Sequence, residues 1–151
     1  MIKPTVQQLH EFLLCVDTMF PVPLSHKQNL SAFSEKLCEK ATLCVKWQND
    51  KIVGMVAGYT DNVENCLGYI SVVAVLPGLQ GKGLGRKLVS EFLTISRNKG
   101  LAGVHLYTVA DNEPAVKLYH SLGFTDFKVT DEPRPDDVHL VCYFNKEGDR
   151  R

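Results

Sequence analysis

Seven residues, Gln80-Gly81-Lys82-Gly83-Leu84-Gly85-Arg86, hold the densest chemical signal in the chain. Three glycines at alternate positions expose backbone amides with no side chain over them, and two cations flank them. An apolar, β-branched run from Gly68 to Leu76 leads in, as expected of a strand buried on both faces. Pro77-Gly78 stops it. After the glycines, Leu84, Leu88 and Phe92, beside Gly85, Val89, Leu93 and Ser96, make one apolar face at helical spacing. Arg86, Lys87, Ser90, Glu91, Thr94 and Arg97 make the other, and Gly100 is placed to end the helix. A glycine turn feeding a helix start is suited to an anion, because the first amides of a helix lack partners and its dipole is positive there.

Two common phosphate loops do not fit. A P-loop needs Ser or Thr after Gly-Lys, and Lys82 is followed by Gly83. The dinucleotide fingerprint needs a third glycine, but Gly81-x-Gly83 leads to Arg86 and Gly83-x-Gly85 to Leu88. What fits is Gln-x-x-Gly-x-Gly, from Gln80 through Gly83 to Gly85. It resembles the pyrophosphate signature of acetyl-CoA-dependent N-acetyltransferases of the GNAT superfamily. A second stretch, Asn112 to Phe124, is similar to that superfamily's next motif, Asn-x-x-Ala-x-x-Leu-Tyr-x-x-x-Gly-Phe, and follows in the expected order. The resemblance covers Ile52 to Phe124 well and the flanks in outline.

The elements that would position these residues follow from the pattern. Thr5 with Gln8 makes a capping box ahead of a helix burying Leu9, Phe12, Leu13 and Val16. Phe20-Pro21-Val22-Pro23-Leu24 is a stiff loop, followed by a helix from Asn29 or Ser31 to Lys40. Thr42–Trp47 and Ile52–Tyr59 read as a hairpin around Gln48-Asn49-Asp50-Lys51, and with the central strand they form an antiparallel run of three. Val104–Val109 is a strand that must run parallel to the central one, since a helix joins them. Asn112 opens the next helix, with Pro114 in its first turn and Gly123 at its end. Phe124–Val129 and Val138–Phe144 read as the last strands, joined by an acidic loop from Asp131 to Asp137. The polar tail, Asn145 to Arg151, is expected to be loose. This order predicts one domain over residues 1–151 of the α/β (α+β) class, and it is similar to the GNAT fold, with a central mixed, mostly antiparallel sheet and flanking helices. The usual first strand is missing or vestigial, because too few residues precede Thr5.

Composition sets the bounds. The 151 residues suffice to bury about 70% of the unfolded surface. Seventeen basic residues balance seventeen acidic ones, so sequence-independent nucleic-acid binding has no electrostatic footprint. Five cysteines, an odd count without a Cys-x-x-Cys pair, argue against a disulfide framework and a metal site and for a reducing, cytoplasmic setting. Neither an apolar run of membrane length nor a signal peptide is legible.

The resemblance assigns roles. It implies that the central strand parts from its parallel neighbour and that backbone near Val73, Ala74 and Val75 pairs with the pantetheine arm of acetyl-CoA. It sets Gly81, Lys82, Gly83, Leu84, Gly85 and Arg86 against the pyrophosphate, with Gln80 bracing the loop. Asn112 either bonds the cofactor arm or caps its helix; Lys117 either reaches a nucleotide phosphate or is solvated. Tyr119 is the candidate catalytic residue, giving a proton to the departing thiolate. The central strand lacks the acid that many family members use as a base, which leaves Asp61, Glu64 or water. That gap also gives weight to a rival, a CoA-binding sensor or interaction module with little chemistry. The expected acceptor is a primary amine of a small molecule, such as an amino sugar, polyamine or amino acid, attacking directly in a ternary complex. A protein amino terminus or lysine side chain is the alternative. Phe20 and its neighbours are candidate acceptor contacts, and the acidic loop, if it borders that site, favours a cationic acceptor. Oligomeric state, a homodimer included, stays open.

Overall fold

The computed structural model describes residues 3–62 and 64–144, so the polar tail lies outside the described residues. Four helices and six strands follow in the order α1 (Val6–Val16), α2 (Leu30–Lys40), β1 (Thr42–Gln48), β2 (Lys51–Tyr59), β3 (Leu67–Val75), α3 (Leu84–Asn98), β4 (Gly103–Thr108), α4 (Glu113–Ser121), β5 (Thr125–Asp126) and β6 (Val138–Tyr143). They form one sheet of order β1-β2-β3-β4-β6-β5, antiparallel except between β3 and β4. Among the described residues no strand precedes α1, and no helix is long and apolar enough to cross a membrane.

Local chemistry accounts for the elements. Thr5 accepts from the Gln8 amide while the Gln8 side chain accepts from Thr5, the reciprocal capping box expected at α1. Asn29 caps α2 through the Ala32 amide. Asn49 and Asp50 both take positive φ, the conformation that a two-residue hairpin turn requires. Gly100 and Gly123 take positive φ just past the ends of α3 and α4.

The two faces of the sheet carry different cores. Leu9, Phe12, Leu13 and Val16 of α1 and Leu30, Phe33 and Leu37 of α2 pack on Met55, Ala57, Val72 and Ala74. Leu88, Val89 and Phe92 of α3 and Tyr119 of α4 pack on Cys44, Val56, Ile70, Val104 and Leu106. Gly54 and Gly58 let α3 lie close. A Cβ on Gly54 would meet Leu84 Cδ2 at 3.0 Å, and one on Gly58 would meet the Tyr69 carbonyl oxygen at 2.2 Å and Phe92 Cζ at 2.8 Å.

One irregularity positions the site. Ala57 pairs with Val72 but Gly58 with Ile70, so Ser71 is an extra residue in β3. A one-residue bulge reverses which side chains face which side. Ile70 accordingly belongs to the α3 core, while Val72 and Ala74 belong to the α1/α2 core. The parallel ladder with β4 stops at the same place, at Ile70 and Leu106. From Ser71 onward, β3 keeps β2 as neighbour and parts from β4.

The largest departure from expectation is β5. Six residues from Phe124 to Val129 read as a strand, but only Thr125 and Asp126 form one, with a further bond from the Phe127 amide to the His139 carbonyl at 2.8 Å. Phe124 is instead a buried plug against Tyr119. β6 lies between β4 and β5, so its apolar residues Leu140 and Val141 are buried while β5 is a stub at the edge.

Candidate active site

α3 begins differently from the other helices. Side chains of Thr5, Asn29 and Asn112 cap α1, α2 and α4, but the N-cap of α3 is Gly83, with φ +79 and no side-chain bond to the helix amides. Gly81 has φ +80, and a Cβ on either glycine would meet no protein atom within 4 Å. The loop is therefore open on its outer side, with amides facing out at the positive end of a fifteen-residue helix.

This opening is one end of a groove of about 640 Å³ lined by Val73, Ala74 and Val75 of β3, by Gln80, Gly81, Gly83, Leu84, Gly85 and Arg86, and by Asn112, Ala115 and Leu118. Gln80 braces the turn, its side-chain amide donating to the Val75 carbonyl at 3.3 Å. That bond occupies one of the carbonyls expected to meet a pantetheine arm. Arg86 lines the groove while donating to the Ser121 hydroxyl at the end of α4, which ties the two helices together. Asn112 caps α4, accepting from the Ala115 amide at 3.4 Å, and still lines the groove. Its Nδ2 donors are separate from the capping oxygen, so the two expected roles are compatible. Lys82 and Lys117 are exposed and are not among the residues lining the groove.

A second cavity, about 380 Å³, abuts the groove at Phe20, Val73, Asn112, Ala115 and Leu118. Tyr119 lines this second cavity, with its ring buried against Phe124. Burial pushes its phenol well above the ordinary range, so the group keeps its proton throughout physiological pH. The loop before α2 contributes Phe20, Pro21, Val22 and Leu24 to the lining of this cavity.

Asp61 and Glu64 are not part of either cavity. Both are exposed, and the Tyr59–Tyr69 pairing places them beyond the start of β3, while the strands part from Ser71 onward. The acidic loop also departs from expectation. Asp137 is engaged by Arg134, with Nε and Nη2 at 2.9 and 2.8 Å from its Oδ2. Glu132 accepts from Tyr107 and from the Arg134 amide, and Asp131 and Asp136 are exposed. The loop residue that lines the cavity is Arg134, over the Tyr107 ring with 4.6 Å from guanidinium carbon to ring centroid.

Behind Tyr107 lies a network not anticipated from the sequence. Glu132 Oε2 is 2.7 Å from His139 Nδ1, and His139 Nε2 is 2.8 Å from His105 Nδ1. An ionised Glu132 requires His139 to donate through Nδ1, so a neutral His139 accepts at Nε2 and His105 donates from Nδ1. Hydrogen bonds, the one from Tyr107 first, hold the Glu132 carboxyl below the usual range. Burial, then His139, pushes His105 down to about 4. The legible signal was alternation: Val104 and Leu106 belong to the α3 core, so His105 and Tyr107 must share the opposite face of β4. Among the described residues, no group of three or more His, Cys, Asp or Glu could hold a metal ion.

Comparison with known proteins agrees with this fold. The model of the acetyltransferase (GNAT) family matches residues 9–124. A mycothiol acetyltransferase of Nocardiopsis dassonvillei is 48% identical over 84 residues, 54% of this chain and 25% of that protein. The chain spans about a fifth to a quarter of the length of the curated relatives it matches. A GNAT-family acetyltransferase of Staphylococcus aureus Mu50 superposes with a TM-score of 0.75 at 17% identity, over 95% of this chain and 98% of that one. The PaiA N-acetyltransferase of Thermoplasma acidophilum, solved with coenzyme A, gives 0.71 at 13% identity, over 95% and 97%. At such identities the structural matches speak for the fold alone.

Proposed function

The chain belongs to the acetyltransferase (GNAT) family, and on that premise we propose that it moves an acetyl group from acetyl-CoA to a small-molecule primary amine by direct attack in a ternary complex. The observation that carries this reading is the uncapped start of α3 at one end of a groove whose other end meets a second, smaller cavity. The amides of Gly81 to Arg86 suit a pyrophosphate. The edge of β3 that parts from β4 suits the amides of an extended pantetheine, which need partners on leaving water.

The acceptor sits in the cavity of Tyr119. Its nitrogen adds to the thioester carbonyl carbon, the C–S bond breaks, the Tyr119 hydroxyl protonates the departing sulfur, and the surplus proton on nitrogen leaves to water. Tyr119 then regains its proton from solvent. Water takes the base's role in this scheme because no carboxylate is among the described residues lining the cavity. A lysine-like amine is neutral only about once in ~2,500 molecules at pH 7. Lys27, in that lining, disfavours a second positive charge and so favours the neutral, nucleophilic amine, while the charge of Arg134 is balanced by Asp137.

Release of thiol from acetyl-CoA with a panel of amines tests the proposal. Turnover that depends on one amine class, with mass spectrometry finding the acetyl group on nitrogen, is the expected result. Tight acetyl-CoA binding with no amine-dependent release would favour the rival reading, a CoA-binding module.

A further inference from the structure

Resting on the acetyl-transfer reading above, we infer that the acceptor amine also carries a carboxylate, and that Arg134 receives it. The charged side chains among the described residues lining the acceptor cavity are both cations, Lys27 from the segment before α2 and Arg134 from the loop before β6. The acids that the sequence places beside Arg134 are absent from that lining. Glu132 is turned into the Tyr107–His139–His105 network, Asp137 is held against the guanidinium, and Asp131 and Asp136 are exposed. A polyamine would bring two or more positive charges to two cations. An amine with a carboxylate brings one charge of each sign.

Arg134 is built in from several sides. Its guanidinium lies over the Tyr107 ring, which favours a planar cation. Asp137 engages one side of the fork, and the Arg134 amide donates to Glu132 Oε1 at 3.1 Å. The guanidinium also acts on Tyr69 of β3, where it partly offsets the upward push of burial on that phenol. One carboxylate oxygen of Asp137 uses Nε and one Nη2 position. The guanidinium donates to the Tyr69 hydroxyl as well, so of arginine's five N–H groups two remain for a second carboxylate. The arginine is thus held in one orientation before a ligand arrives, which reduces the ordering lost on binding. Lys27, exposed in the segment before α2, adds charge without comparable fixing.

The test uses the full chain with acetyl-CoA and four probes: a set of amino acids, their carboxamides, polyamines and amino sugars. Amino acids are expected to be turned over in preference to their carboxamides. Arg134→Gln is expected to raise KM for the amino acid by roughly 10- to 100-fold, the usual span for a lost hydrogen bond to a charged group, and to leave KM for the carboxamide within about twofold. A general disturbance of the loop would move both. Arg134→Lys keeps the charge and loses the fork, so partial rescue is expected. Acetyl-CoA affinity and melting temperature serve as folding controls. Turnover of polyamines or amino sugars in preference to amino acids, or an equal rise in KM for both probes in Arg134→Gln, overturns the assignment while leaving acetyl transfer in place. If no amine is turned over, calorimetry on the acetyl-CoA-loaded protein separates the claims. Arg134-dependent binding of the amino acid upholds the carboxylate site and removes the catalytic reading, and its absence removes both.

Discussion

The groove and the cavity beside it are built by different means. The groove is a matter of backbone: an uncapped helix start, two glycines at positive φ, and a strand edge left by the bulge at Ser71. The cavity is a matter of side chains brought from five places: the loop before α2, β3, β4, α4 and the loop before β6. Amides have one chemistry at every position, so a backbone site tolerates changes around it and fails when a Cβ intrudes. A side-chain site fails one functional group at a time, with the fold intact. The difference teaches where each kind of variant should act.

The largest effect is expected at the backbone. In Gly83→Val a β-branched residue would have to hold φ near +79, and its side chain would fill the space in front of the helix amides. Losing two or more hydrogen bonds from amides to a charged group corresponds to roughly 3–6 kcal/mol, or about 10²–10⁴ in acetyl-CoA affinity. Calorimetry on the folded variant checks this, and affinity equal to the parent's would remove the phosphate assignment.

Tyr119→Phe probes the other region. The ring and its packing on Phe124 remain and only the proton donor is lost. A fall in kcat of about 10² is expected, the lower end for general acid catalysis, or roughly 3 kcal/mol at the transition state. KM for acetyl-CoA should hold nearly constant, and the defect should shrink above pH ~8.5, where a thiolate leaves unaided. A kcat within twofold of the parent, with chemistry rate-limiting, would make Tyr119 a lining residue only.

A smaller effect concerns the network behind the cavity. His105 titrates near 4 in the folded chain against about 6.5 unfolded. Between those values the unfolded chain binds the extra proton, so stability is complete above pH 6.5 and falls as pH drops toward 4. Because the site is only partly buried, the loss is on the order of 1 kcal/mol after screening. Denaturant midpoints across that range check it, and His105→Phe should flatten the slope.

The smallest effect sharpens the contrast between capped and uncapped helices. Asn112→Ala removes the cap of α4 at about 1 kcal/mol, a melting-temperature drop of roughly 2–4 °C. If acetyl-CoA affinity also falls more than tenfold, the same side chain serves the cofactor arm.

The same contrast decides what was legible in the sequence. Glycines at alternate positions and a proline stop can be read directly, because turn chemistry is local. The order of helices and strands could be read from periodicity, and the parallel pairing of β3 with β4 followed from the helix between them. The bulge at Ser71 could not, since Tyr69 to Val75 alternates no differently with or without it. Arg134 could not either: its direction depends on Asp137, Tyr107 and β6, and the acids around it suggested the opposite charge. The Glu132–His139–His105 chain joins residues up to 34 positions apart that are adjacent only because β6 lies against β4.

The most direct test of the central claim is a titration of the ¹⁵N-labelled chain with acetyl-CoA, followed by backbone amide shifts. Perturbations should be largest at Gly81, Gly83, Leu84, Gly85 and Arg86 and continue along Val73 to Val75, with Arg134 and Tyr107 little changed until an acceptor is added. Shifts concentrated at exposed Lys82, Lys87 and Lys117, with the glycine amides unmoved, would contradict it.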